Sequence, residues 1–478
     1  MTAMNPGDAR SSGPSYQDLV ALDTRDVPVA LRSTSYSYQG SADVPKSRYT
    51  SPAFAALEHE YVWRRTWQMA CREEDLPKPG SHVVYDVGDE SLIVTRGSDG
   101  TIRAFHNACL HRGTKLRTED GRVGSFRCPF HAWTWDIDGN LSYLPCEWDF
   151  PHVADDPARR NLPEAQVALW EGFVMVNLDP AAEPFETYAR VLVEHFPQFD
   201  YGRRYKAFHA VKEVPANWKV VMEAFAEAYH VIATHPQISE FSADANSEYS
   251  IWPDAPHVTR FVNAFGAQSP HLSDTLSEQQ IANAYVAFSA RSAAATAPEI
   301  PEDGSARTLV ADLFRQRMSG LYQADLSTAS DTEILDAILY NMFPAFAPWA
   351  GVGQPLVYRW RPGRTPDTCF MDVIRLAPVP DDGPRPAPAE CTVLTLEQSW
   401  SEAPGMGGLA AVFEQDMANL PRVQAGLKSS GKASVTFGNY QEARLRLFHR
   451  LIDQYILDGL TADGRDRAAV EPFLVAEG

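Results

Sequence analysis

The feature that most constrains this chain is a pair of matched Cys/His segments. Cys109-Leu-His111 is followed, sixteen residues later, by Cys128-Pro-Phe-His131. Each segment offers one thiolate and one imidazole. Zinc sites built on such motifs usually pair Cys with Cys and His with His. A [2Fe–2S] cluster with mixed ligands needs two thiolates on one iron and two imidazoles on the other. Two short loops, each with one Cys and one His, can clasp such a cluster from both sides. A zinc site, or four unrelated buried residues, are the alternatives.

At 478 residues the chain is too long for one core of ordinary size, so two domains are expected. A net charge of −20 argues against nucleic acid as a partner. No run of eighteen apolar residues is present, so no membrane span is expected. Met1 to Pro14 is polar and does not read as a signal peptide. Besides Cys109 and Cys128, the cysteines are Cys71, Cys146, Cys369 and Cys391. Their spacing shows no disulfide framework, which fits free thiols in a reducing cytoplasm.

Residues 1 to about 40 are rich in Ser, Gly, Asp and Pro. They read as a loose arm, ordered against a neighbouring subunit. Phe54, Leu57, Tyr61, Trp63 and Trp67 recur at helical spacing. From Ser81 the period shortens: His82–Tyr85, Ser91–Thr95 and Ile102–Phe105 are β-rich runs between turn residues. An Asp138-Gly139 turn follows the second Cys/His segment. Further strands are expected at 167–170 and 172–177, a helix at 185–196, and helical or irregular sequence from Asn217 to about Tyr340. A hairpin is expected around Pro362-Gly363, a proline-rich loop at 381–390, a strand at 392–398, and helices at 414–427 and 437–457. Strands and helices are segregated, which predicts an α+β fold. The expected partition is an arm at 1–48, a small antiparallel β domain with its leading helix at 49–165, and a larger domain at 166–478.

A second constellation lies in Asn217-Trp-Lys-Val-Val-Met-Glu223-Ala-Phe-Ala-Glu227-Ala-Tyr229-His230-Val-Ile-Ala-Thr-His235-Pro236. It reads as one helix, with Glu223 and Glu227 stacked on one side and His230 near them. His235 is five residues on, about 140° further round. Both imidazoles reach one metal only if the helix loosens between them. Pro236 disfavours helical geometry at His235, where that loosening is needed. Two His and one carboxylate on one face of Fe(II) leave positions open for dioxygen. His106, His209 and His449 lack comparable company and read as structural.

These two constellations, from about Tyr49 to Tyr455, resemble the large subunit of the Rieske non-haem iron oxygenases. The resemblance implies a Rieske domain followed by a helix-grip-like catalytic domain. It makes Cys109, His111, Cys128 and His131 the cluster ligands, and His230 and His235 ligands of mononuclear Fe(II). Glu414-Gln415-Asp416, ahead of Val423-Gln424-Ala-Gly-Leu427, is similar to the family's acidic motif. It points to Asp416 as the third iron ligand, with Glu414 as a weaker rival. Glu227 occupies a slot where ring-hydroxylating members commonly carry Asp, and would bridge a cluster His to an iron-ligating His. Ala224 stands where many relatives carry Asn.

The resemblance further implies electrons from NAD(P)H through a separate reductase, with or without a ferredoxin, since the chain has no flavin or nicotinamide signature. A homotrimer with electron transfer across subunits, and a small β subunit, belong to the same expectation. The reaction expected is hydroxylation of a bulky apolar or aromatic substrate, on a pocket lined from Phe241, Tyr249, Trp252, Phe261, Phe265, Phe343, Phe346 and Trp349. Oxidation of a quaternary amine held by an aromatic cage is the alternative. A redox carrier or sensor lacking the second iron is the reading from another class.

Overall fold

The β-rich runs after Ser81 form an antiparallel sheet. Ser81–Val87, Glu90–Arg96 and Ile102–His106 pair in succession. Gly88, at φ +55°, closes the two-residue turn between the paired Val87 and Glu90. The computed structural model describes residues 7–154, 156–353, 355–380 and 383–475. Residues 1–6 of the expected arm, and 381 and 382 of the expected proline-rich loop, lie outside the described residues.

The chain divides into two compact units: His59–Tyr188, and Met1–Glu58 together with Ala189–Gly478. These divisions differ from those expected at 48/49 and 165/166. The cause lies in Glu164–Trp170 and Phe173–Asn177, expected to open the larger domain. They pair with each other and continue the first sheet, between Ile102–His106 and Gln68–Arg72. Phe173, Val174, Met175 and Val176 are wholly buried, so this strand is central. A smaller sheet of Ser125–Arg127, Thr134–Asp136 and Leu141–Tyr143 carries the second Cys/His segment. Beneath both segments Ile93, Phe105, Phe126, Trp133, Trp135 and Leu162 form one core.

The larger unit is built on an eight-stranded sheet. Its order is Glu248–Ile251, Val258–Asn263, Ala337–Met342, Phe346–Pro348, Leu356–Pro362, Cys369–Pro378, Arg204–Val214 and Cys391–Leu394. All neighbours are antiparallel except Cys391–Leu394, which runs parallel to Arg204–Val214. Three of these strands fall in the stretch expected to be helical or irregular. Glu248–Ile251 and Val258–Asn263 are buried on both faces, so they lack the alternation that marks a half-exposed strand. Trp218–Ala224 packs on Leu356–Pro362 and Cys369–Pro378, and Leu409–Ser429 packs on Trp218–Ala224. Leu409–Ser429 runs through Pro421, which cannot donate to the carbonyl of Met417. No helix among the described residues is long and apolar enough to cross a membrane.

The N-terminal segment is not a loose arm. Its described part is tied into its own chain by buried polar side chains. Asn246 accepts from the amides of Arg10 (3.0 Å) and Ser11 (2.8 Å) and donates to the carbonyls of Ser12 and Pro14. Arg260 donates to the carbonyls of Ala30 and Ser33 and pairs with Glu248 at 3.1 Å. Arg307 lies between Asp23 (3.0 Å) and Asp336 (2.8 Å). Polar composition hides this, because the partners are single residues far along the chain. Asn246→Ala is expected to lower stability by about 1 kcal/mol, since the backbone groups it holds lose their partner but Ser11, Ser12 and Pro14 are open to water. Amide hydrogen exchange should show Arg10 and Ser11 losing protection while the remote Val258–Asn263 strand keeps it.

Candidate metal centres

Both Cys/His segments fold into the same five-residue loop. In the first, Gly113 N–H donates to the carbonyl of Cys109, and Cys109 N–H to that of Thr114, each at 2.9 Å. In the second, Ala132 N–H donates to Cys128 (3.1 Å) and Cys128 N–H to Trp133 (2.8 Å). Each loop ends on a left-handed residue, Gly113 at φ +77° and Ala132 at φ +63°. Histidine is the third residue of one loop and the fourth of the other.

The loops bring like donors together. His111 Nδ1 and His131 Nδ1 face each other at 3.2 Å, as two lone pairs aimed at one point would. Trp133 stacks on His111, with centroids 5.4 Å apart and planes 4° apart. Cys109 and Cys128 are buried, free and in mutual contact. Burial pushes the Cys109 thiol up, against the backbone N–H groups of His111 and Arg112. Burial also acts to raise Cys128, but the N–H groups of His131 and Phe130 outweigh it and bring that thiol down. Sulfurs ringed by N–H donors beside a paired imidazole set fit a two-thiolate, two-imidazole cluster.

The second constellation is two short helices, not one. Trp218–Ala224 ends, and a single turn, Val231–Thr234, begins after His230. The helix therefore opens before His230 as well as at His235, where Pro236 is expected to loosen it. His235 leaves the turn at ψ +51°, ahead of Pro236. Glu223 and Glu227 consequently face different partners. Glu223 receives the Tyr49 hydroxyl at 3.0 Å and lies 2.8 Å from His449 Nε2. Burial pushes its carboxyl up to about 8. His449, read from sequence as isolated, is thus part of a buried network that also holds Arg48.

Glu227 turns to His230. Its Oε2 accepts the His230 backbone N–H (3.0 Å) and its Oε1 lies 2.7 Å from His230 Nδ1. A carboxylate acceptor places the proton on Nδ1 and leaves the Nε2 lone pair free. Gln415 Oε1 does the same for His235 Nδ1 at 2.9 Å. The freed Nε2 atoms of His230 and His235 lie 3.8 and 3.1 Å from Asp416 Oδ1. These three donor atoms fall within 4.8 Å of one another. Burial opposes charging of His230, but Glu227 and then Asp416 outweigh it and raise its pKa. The donor set of two imidazoles and one carboxylate, each imidazole oriented from behind, fits a divalent iron. Glu414, the rival to Asp416, points elsewhere: its Oε1 accepts from Ser399 Oγ (2.8 Å) and the Trp400 N–H (2.6 Å).

Sequence reading missed Gln415, because an amide between two acids carries no motif. It also missed the tie between Trp218–Ala224 and Leu409–Ser429. Asn217 caps the first by accepting from Lys219 N–H, and donates its own N–H to Gln424 Oε1 at 3.0 Å.

The aromatic residues expected to line one pocket are scattered. Phe241 and Phe265 pack with Tyr285, Tyr249 stacks on Phe261, Trp252 on Tyr340, and Phe343 on Tyr455. Trp349 joins a different group: Tyr358, Trp360, Phe225 and Phe413, with centroids 5.2–6.0 Å apart. This group adjoins the metal-site carboxylate. Burial, then the charge of Asp416, pushes the Tyr358 hydroxyl up.

Residues 66–154 match the model of the Rieske [2Fe-2S] domain, and residues 199–458 that of the ring hydroxylating alpha subunit (catalytic domain). The glycine betaine monooxygenase oxygenase subunit of Chromohalobacter salexigens is 29% identical over 231 residues, 47% of this chain and 51% of that protein. The chlorobenzene dioxygenase subunit alpha of a Cupriavidus species is 32% identical over 195 residues, 39% of this chain and 42% of that one. The chain thus spans about half the length of the curated relatives it matches. A quaternary ammonium Rieske monooxygenase solved with L-carnitine shares the fold, at TM-score 0.60 and 20% identity, over 87% of this chain and 95% of that one. The catalytic model covers more than half of the sequence, so the chain belongs to the Rieske non-haem iron oxygenases, whose alpha subunits carry a [2Fe–2S] cluster and a mononuclear iron.

Proposed function

We propose that this chain oxidises a small quaternary amine, with electrons drawn from a separate reductase. The observation that carries the reading is its similarity to a glycine betaine monooxygenase subunit. The group of Tyr358, Trp360, Phe225 and Phe413 beside Asp416 supports it, because aromatic faces attract a quaternary ammonium that cannot donate a hydrogen bond. The chlorobenzene dioxygenase match favours a second reading, hydroxylation of an arene.

In this reading Cys109, His111, Cys128 and His131 hold the cluster, and His230, His235 and Asp416 hold the iron. Iron at that site supplies dioxygen activation, so that one oxygen atom enters the substrate and the other leaves as water. Glu227 and Gln415 keep both histidines in the tautomer that presents Nε2. Each Glu227 oxygen retains a second lone pair, so the carboxylate can also accept from His131 of a neighbouring copy. That bond would place one subunit's cluster beside the next subunit's iron in a closed ring.

The ligand assignment predicts that His230→Ala, His235→Ala or Asp416→Ala each lowers iron by one atom per chain and stops turnover, while the visible Rieske absorption persists. Glu414→Ala should keep the iron; metal analysis of the purified variants checks both. With a reductase supplied, glycine betaine or carnitine should yield formaldehyde and the tertiary amine if an N-methyl group is hydroxylated, or trimethylamine and an aldehyde if the chain carbon bonded to nitrogen is. A cis-diol from chlorobenzene, with neither product from the amines, would replace the first reading by the second. For the ring, co-assembling Cys109→Ser with His230→Ala chains should restore activity, because some interfaces then pair an intact cluster with an intact iron. Verified mixed oligomers that stay inactive would confine electron transfer to one chain.

A further inference from the structure

The backbone between Trp218–Ala224 and Val231–Thr234 is opened over Phe225–Tyr229, and the opening is held by side chains from elsewhere. In a continuous helix the Ala226 carbonyl and the Ala228 amide would bond within the helix. Here Arg444 Nη1 donates to the Ala226 carbonyl at 2.9 Å. The Tyr249 hydroxyl accepts the Ala228 N–H at 3.1 Å. The remaining link is Glu227 itself, which caps the His230 N–H.

Both braces are buried, and both are held from behind. Arg444 Nε donates to Thr259 Oγ1 (2.9 Å), and Nη2 donates to Asn341 Oδ1. Its guanidinium lies 5.3 Å from the centroid of Phe261. Tyr249 stacks on that same Phe261 and meets Tyr440 edge-on at 5.4 Å. Thr259, Phe261 and Asn341 sit on paired strands of the sheet, where Thr259 lies opposite Asn341. Arg444 has neutral oxygen acceptors at each of its described hydrogen bonds. A buried guanidinium committed to a backbone carbonyl and two neutral side chains is an expensive way to fill space. It matches a need to hold that carbonyl in one place.

We infer that Arg444 and Tyr249 are positioning residues that set the metal affinity of the His230, His235 and Asp416 site. They act by fixing the non-helical backbone on which Glu227 and His230 stand. The inference rests on the ligand assignment above. Without the braces, Ala226 and Ala228 gain by re-forming helical bonds, which rotates Glu227 and His230 away from Asp416. Neither residue is a metal ligand; the effect travels through the backbone they hold, and the Tyr249 hydroxyl also faces the charge of Glu227.

The test is a Co2+ titration of the full chain with its cluster intact and mononuclear iron removed by chelation, read by the visible bands of bound Co2+. Tyr249→Phe removes one acceptor and keeps the ring packing; it should weaken Co2+ binding about 10-fold. Arg444→Met should weaken it further, and Arg444→Lys, which can still reach one acceptor, should recover part of the loss. The Rieske absorption should be unchanged in all three. If Arg444→Met does not fold, Tyr249→Phe decides the matter. Wild-type affinity in folded Tyr249→Phe overturns the inference, even if its melting temperature has dropped. Asp416→Ala and His235→Ala run alongside: if they too bind Co2+ as wild type does, the ligand assignment is what has failed. If they lose the ion while Tyr249→Phe keeps it, the braces alone are refuted.

Discussion

The hydrogen bond from the Asn217 amide to Gln424 Oε1 is the contact on which the larger unit's chemistry depends. In sequence His230 and His235 follow one partner, Asn217, and Asp416 precedes the other, Gln424. The Asn217 and Gln424 side-chain amides both donate to the same carbonyl, that of Tyr49. All of this is buried, where a satisfied polar contact is strong and an unsatisfied one is costly. A slip of one helical turn between the two helices would move Asp416 by about 5.4 Å. That is more than a metal ion can bridge, so the amide pair fixes a register that apolar packing alone would leave adjustable.

Much of the metal chemistry was legible because it is local. The Cys/His segments and the two histidines ahead of Pro236 each lie within a few residues, and spacing alone brings such donors together. The strands from Ser81 to His106 were legible for the same reason: alternation and Gly-Asp turns act over neighbouring residues. What escaped is non-local. Gln415 and Arg444 have unremarkable sequence surroundings, and their roles come from atoms far along the chain. The break after Ala224 escaped because its apolar residues continue a helical pattern. The strand Val258–Asn263 escaped because burial on both faces erases its period.

The two cluster loops show how little of a metal site is side chain. Leu110 and Arg112 in one loop, and Pro129 and Phe130 in the other, have little in common, yet the backbone bonds of the two loops match in order and span. The backbone decides where the sulfur sits, and the position of His along the loop decides where its ring arrives. Third place in one loop and fourth in the other bring both Nδ1 atoms to one point. The same division of labour holds at the other site, where backbone geometry sets where His230 stands and Glu227 sets its tautomer.

The larger unit is discontinuous: residues up to Glu58 join those from Ala189 onward, and His59–Tyr188 is inserted between. Synthesis from the N-terminus therefore delivers the parts out of phase. The cluster unit is complete once Tyr188 has been made. The leading segment must wait much longer, because Arg48 needs His449 and Asp453, and Tyr49 needs Gln424. Tyr49 can meet Glu223 and Asn217 earlier, but until Ala443–Ala462 is made Arg48 lacks its buried acceptors. The unit with the Cys/His loops can thus fold first, and the unit that holds His230, His235 and Asp416 closes last.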